Sequence, residues 1–270
     1  MRICVSNIIW KKGERDFVAF LDSLTTLGVN NIELALSCIW EQPVSASDYK
    51  LKWLQSELNA RNMRVISLHS LTHSTPGLEL FESHSSRLKL LHHMEAYCKI
   101  AQKLGCKNLV FGSPNSRKLH SCSKNEADEI FVRVLEKIDK FSNGLQFNIE
   151  PLSKDWCEYL NSFEECADII RPHEFSNIFI QLDARTFLEN GESLSIVSKN
   201  SHMVRHVHVS NPGLTAPGQP YESFFINFRN KLMSIKYDGF VTAEVLSNSG
   251  DGYEANLSFV VSRMRELFCD

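Results

Sequence analysis

Eight short apolar or β-branched runs punctuate this sequence, and a stretch of helical periodicity follows each of them. The runs are Ile3–Ile9, Asn31–Leu36, Arg64–His69, Asn108–Phe111, Gln146–Glu150, Ile178–Asp183, His206–Ser210 and Phe240–Val245. Between them, apolar residues recur every three or four positions, as in Phe17, Phe20, Leu21 and Leu24, or Leu90, Met94, Tyr97, Ala101 and Leu104, or Ile130, Val134 and Ile138. That spacing lines one face of a helix. Successive runs mostly lie roughly 30 to 40 residues apart, room for a strand, a crossover helix and a return loop. Gly28, Gly105 and Gly239 each stand just before a run, as expected where a helix closes on a left-handed glycine.

Runs such as Phe147-Asn148-Ile149 and Ile178-Phe179-Ile180 read as apolar without strong alternation, which fits strands of a parallel sheet covered on both faces. No Gly-x-Gly-x-x-Gly turn follows the first run, so a dinucleotide-binding open sheet is disfavoured. Eight βα units in 270 residues predict closure into a parallel (β/α)8 TIM barrel with helices outside. No linker or low-complexity tract divides the chain, so one domain over residues 1–270 is expected. The sixth helix is the weakest element, because Asn190-Gly191-Glu192-Ser193 delays it and leaves a short periodic segment before Asn200.

Composition narrows the function. With 29 Lys+Arg against 32 Asp+Glu, a net charge of -3 and no basic run, the chain offers no field for nucleic acid or an anionic membrane. Its apolar stretches are strand-sized, and Asn7, Lys11 and Lys12 replace a signal-peptide core, so a cytoplasmic protein is expected. The eight cysteines, without a Cys-x-x-Cys pair, read as reduced packing residues.

In a barrel of this kind the chemistry sits where the strands end. Run five closes on Glu150, run six on Asp183, run seven carries His206 and His208, and run eight reaches Glu244. Carboxylates closing apolar strands are costly to bury unless paired or bound to metal. Four adjacent strands thus aim groups suited to a divalent cation at one mouth. In His206-Val207-His208 the alternation puts both rings on the same side.

These residues resemble the xylose isomerase-like barrels, which include hydroxypyruvate isomerase, the D-tagatose 3-epimerase group, the inosose isomerases and dehydratases, and endonuclease IV. The matching stretches are Asn148-Ile149-Glu150-Pro151-Leu152, Gln181-Leu182-Asp183, His206-Val207-His208-Val209, Ala216-Pro217-Gly218 and Tyr237-Asp238-Gly239-Phe240-Val241-Thr242-Ala243-Glu244, with a weaker likeness in Gly28-Val29-Asn30-Asn31-Ile32-Glu33-Leu34. The resemblance implies one divalent ion (Mn, Co, Mg or Zn) held by Glu150, Asp183, His208 and Glu244. His208 is preferred over His206 because it lies nearer the strand end and ten residues before Gly218, as in the epimerase pattern. His206 then packs inward or contacts substrate. The implied function is a metal-dependent isomerase or epimerase of a small keto sugar, sugar phosphate or keto acid. It works through an enediolate, with Glu150 and Glu244 as the two bases.

Around that centre, His69 at the end of run three reads either as a substrate contact or as a hydrogen-bonded strand-end histidine. Trp10 and Trp40 read as an apolar wall for a sugar or as filling of the mouth. Lys154 and Arg185 read as positive charge for substrate oxygens or as cover for the barrel rim. The loop Ser247-Asn248-Ser249-Gly250-Asp251-Gly252 resembles a backbone cradle for a phosphate. Two positions depart from the epimerase pattern: Thr186 stands where a histidine is usual and Leu214 where an arginine is usual.

Three other readings stay open. A dehydratase of a cyclic polyol ketone shares the same early chemistry. An endonuclease IV-like phosphodiesterase accounts for His69, but Phe111-Gly112-Ser113 and Thr186 leave too few ligands for three zinc ions. A barrel without turnover would bind a sugar-like ligand or a protein partner. The expected partner is a small sugar-like molecule, and a homo-oligomer is compatible with the sequence.

Overall fold

Each strand is short, four to six residues long. In the computed structural model, which describes residues 1–10, 17–247 and 252–269, the strands are β1 (Arg2–Ser6), β2 (Asn31–Leu34), β3 (Arg64–Leu68), β4 (Asn108–Phe111), β5 (Gln146–Ile149), β6 (Ile178–Asp183), β7 (Val204–Val209) and β8 (Phe240–Ala243). They pair in parallel, in chain order, and β1 pairs with β8 to close the barrel. The helices are α1 (Phe17–Thr26), α2 (Asp48–Ala60), α3 (His84–Leu104), α4 (Lys124–Ser142), α5 (Phe163–Ile170), α6 (Ala184–Asn190), α7 (Ile196–Lys199), α8 (Glu222–Ser234) and α9 (Gly252–Phe268).

The first run is shorter as a strand than its apolar pattern suggests. Ser6 Oγ accepts the Ile8 N–H, and the Asn7 side chain bonds both main-chain groups of Ala35. Residues Asn7–Ile9 therefore turn into a single 3-10 turn. The sixth helix also differs from expectation. Asp183 accepts the N–H groups of Arg185 and Thr186, which caps a helix directly at the strand end. Helix α6 starts at once, Gly191 closes it at φ 67°, and the short α7 follows. Gly28 and Gly105 are left-handed as expected. Gly239 is not: Lys236 takes the positive φ in that turn, and a Cβ on Gly239 would collide with the Tyr237 ring.

The strands are buried on both faces, as expected, but their ends alternate more strongly than the runs suggest. Val5, Ile32, Leu34, Leu68, Phe111, Phe147, Ile149, Leu182, Val207, Val209, Val241 and Ala243 belong to the core under the helices. Their neighbours Ser6, Glu33, His69, Asn148, Glu150, Asp183, His206, His208, Thr242 and Glu244 are just as buried. The contacts among these polar side chains show that they face the barrel axis. Period-two alternation thus sends apolar groups to the helices and polar ones inward. β6 joins this pattern through a register shift between Ile180 and Gln181, which sets Gln181 beside His206 and Asp183 beside His208.

All eight cysteines are thiols, none paired in a disulfide. On the buried face of α3, His93 shares a 2.7 Å hydrogen bond with the Leu71 carbonyl. Burial holds its pKa below the usual imidazole value, against the raising effect of that bond. A depressed histidine pKa contributes stability that is present above about pH 6.5 and is lost as pH falls through the folded value. Thermal melts from about pH 7.5 to about pH 5 are expected to lose Tm more steeply in wild type than in His93→Gln. Parallel slopes would contradict this.

Candidate active site

Two linked clusters fill the carboxyl-terminal mouth of the barrel. In the upper one, Glu150, Asp183, His208 and Glu244 bring one ligand atom each within 4.8 Å of one another. His208 Nδ1 lies 3.3 Å from Glu244 Oε2 and 3.8 Å from Glu150 Oε1. In the lower one, Glu33 is completely buried. Its Oε2 accepts hydrogen bonds from Ser67 Oγ and, at 2.6 Å, from His206 Nε2. Its Oε1 stands 2.8 Å from His208 Nε2 and 3.7 Å from His69 Nε2. His208 belongs to both clusters.

The strands fix these positions. Glu150 directly follows β5, its N–H bonds the Phe111 carbonyl, and its own carbonyl accepts 2.8 Å from the fully buried Arg117. Its carboxylate lies over Gly112, where a Cβ would collide with Oε2. Gln181 Nε2 reaches Oε1 at 3.3 Å. Glu244 follows β8, and its N–H bonds the Val209 carbonyl. On its other side His69 Nδ1 lies 3.2 Å from Oε1, while His69 Nε2 shares a 2.7 Å hydrogen bond with Ser6 Oγ.

The electrostatics follow from crowding. Burial, then Glu244 and Asp183, push the Glu150 pKa well above the carboxylate range. Burial acts on Glu244 in the same direction, but His208 and His69 outweigh it and hold its pKa well below that range. Glu33 behaves like Glu244, with burial outweighed by His208, His69 and His206. Burial opposes protonation of His208, yet Glu33 and Glu244 raise its pKa well above the usual value. Burial lowers that of His206.

The cluster suits a cation. Two ligands at about 2.1 Å from one ion stand about 3.0 to 4.2 Å apart, close to the separations here. Both nitrogens of His208 are buried without an aligned hydrogen-bond partner among the described residues. Nδ1 therefore faces carboxylates across a space that nothing else satisfies, the signature of a ligand position.

Other side chains named from sequence are placed as follows. Arg185 is buried, with Nη2 3.4 Å from Asp183 Oδ2 and its guanidinium 5.2 Å from the Trp156 ring. Its Nε and Nη1 lack hydrogen-bond partners. Lys154 is exposed, and its N–H bonds Asn190. Trp10 packs against Phe17 at 5.3 Å, and Trp40 belongs to the same core. Thr186 turns its hydroxyl to the Pro151 carbonyl, and Leu214 is buried. The phosphate-cradle reading of the loop after β8 falls on residues 248–251, outside the described residues. Glu33, Ser6 and Ser67 were not singled out from the sequence. Ser67 stands two residues before the inward-facing His69, whereas Glu33 and Ser6 are recognisable only from the contacts that barrel closure gives them with His206, His208 and His69.

The fold and this arrangement define a class. Residues 21–263 match the xylose isomerase-like TIM barrel family, and the chain belongs to it. A D-psicose 3-epimerase structure determined in the presence of D-fructose is similar over 100% of both chains, with TM-score 0.82 and 16% identity. The D-psicose 3-epimerase of Clostridium cellulolyticum H10 with D-tagatose is similar over 99% of this chain and 91% of its own, at TM-score 0.77 and 17% identity. The IolI protein with a bound zinc atom is similar over 99% and 98%, at TM-score 0.74 and 14% identity. Comparison with curated proteins finds no match. Among the described residues, no helix is long and apolar enough to cross a membrane.

Proposed function

We propose that this protein is a divalent-metal-dependent isomerase or epimerase of a small keto sugar, sugar phosphate or keto acid. The observation that carries this reading is the convergence of Glu150, Asp183, His208 and Glu244 on one buried mouth. The sugar epimerases among the similar structures support it, and the zinc held by IolI supports a metal in such a barrel.

Glu150, Asp183, His208 and Glu244 would hold the ion. A divalent cation in that position supplies Lewis acidity, polarising a ketone oxygen and acidifying the neighbouring C–H. The chain's own residues do the rest. Glu150 just after β5 and Glu244 just after β8 flank Asp183 and His208, so a substrate seated over the cluster meets a carboxylate on either side. One carboxylate removes the proton from the carbon beside the ketone and the other returns one. A carboxylate has two oxygens, so each can serve the cluster with one and the substrate with the other. His69, set by Ser6, holds the outer oxygen of Glu244 in place. Gln181 holds Oε1 of Glu150, the oxygen that approaches His208. Arg185 offsets part of the carboxylate repulsion and steadies Asp183.

Calorimetric titration of metal-free protein with Mn2+ tests this. One equivalent per chain is expected, and none in His208→Ala. No binding in wild type would overturn the proposal and leave the four residues as a structural network.

A further inference from the structure

We infer that Glu33 is a positioning residue that fixes the ring of His208, with Nε2 toward Glu33 and Nδ1 toward the three carboxylates. Cation affinity then depends on a side chain outside the ligand set. This rests on the metal-dependent reading above and adds a residue to it.

Glu33 Oε1, His208 Nε2 and His208 Nδ1 are all buried, and none has an aligned hydrogen-bond partner. The first two stand 2.8 Å apart. A small rotation of the ring pairs them as an N–H donor and a carboxylate acceptor, which satisfies two of the three orphaned atoms at once. The third, Nδ1, is then turned toward Glu244 and Glu150, where its lone pair is the one a metal takes up.

Glu33 is itself held firmly. Ser67 Oγ and His206 Nε2 both bond its Oε2, and Ser67 and His206 lie 3.2 Å from each other. With Oε2 occupied by groups from β3 and β7, Oε1 is the oxygen left for His208. His206 thereby gains a role without entering the upper cluster: it anchors the carboxylate that orients its neighbour two residues on. His69 Nε2, at 3.7 Å, is too far to compete for Oε1.

The test is Mn2+ affinity by calorimetry for wild type, Glu33→Gln and Ser67→Ala. It is joined by nitrogen NMR of the zinc-loaded proteins, which reports the nitrogen of His208 that carries the proton. Glu33→Gln keeps the shape and loses the charge, and about 10- to 100-fold weaker binding is expected. Ser67→Ala keeps Glu33 but leaves its Oε2 held by His206 alone, and about two- to tenfold weakening is expected. It also serves as the readout if Glu33→Gln does not fold. Wild type should show the proton on Nε2. A purely structural role would lower the melting temperature of the metal-free variants and leave Mn2+ affinity unchanged. Affinity within twofold of wild type in the folded variants, or a proton on Nδ1 in the zinc-loaded wild type, overturns the inference while leaving the metal site standing. Absence of Mn2+ binding in wild type overturns both.

Discussion

Glu150→Gln and Glu244→Gln are each expected to lower kcat by about 10²- to 10⁴-fold, the range supplied by a positioned acid or base. Glutamine has nearly the same shape, so each variant should keep the fold and lose the group that exchanges a proton. The two losses should not multiply when combined, because a reaction that needs removal and return of a proton is halted by either. Their environments differ, and so should the side effects. Glu244 is clasped between His208 and His69, so its neutral replacement also weakens two histidine contacts. Glu150 instead meets Gln181 and carboxylates, and its neutralisation relieves repulsion. Glu150→Gln should therefore melt at or above the wild-type temperature and Glu244→Gln below it. Wild-type rates in either variant would remove the two-base mechanism.

Gly112→Ala should be nearly as damaging without touching a titratable group. A methyl at that position would overlap Glu150 Oε2, so the carboxylate must swing away from the cluster. Overpacking of this kind costs about 1 to 3 kcal/mol. A displacement near 1 Å at a reacting group costs about 10²-fold in rate. Both kcat and Mn2+ affinity should fall, whereas a change in substrate binding alone would raise KM and spare kcat. Kinetic and calorimetric data matching wild type would show that Glu150 has another place to go.

The barrel was legible because each βα unit carries its own signal: an apolar run, a helical repeat and in places a glycine between them. Glu150, Asp183, His208 and Glu244 were legible because each stands at or near the end of a run, where polar residues interrupt an apolar pattern. Glu33 was less so. It lies inside Ile32-Glu33-Leu34, where a lone acid looks like an exposed strand position. Only closure of the barrel turns that face inward to meet His206 and His208, residues more than a hundred positions away. The end of β1 was misjudged for a local reason, since Ser6 and Asn7 divert the main chain where apolar Ile8 and Ile9 suggest that it continues. The start of α6 was misjudged because Asp183 ends a strand and caps a helix with one carboxylate. The cores around Trp10 and Trp40 depend on long-range packing that no local pattern encodes.

The most direct test of the account is solvent exchange. Protein loaded with Mn2+ is incubated in D2O with D-fructose, D-psicose and D-tagatose, and deuterium is followed at the carbon beside the ketone. Incorporation in at least one ketose, absent in Glu150→Gln and Glu244→Gln, is the predicted result. No incorporation in any of them by protein that holds one Mn2+ per chain would contradict proton transfer at a keto sugar as the reaction of this barrel.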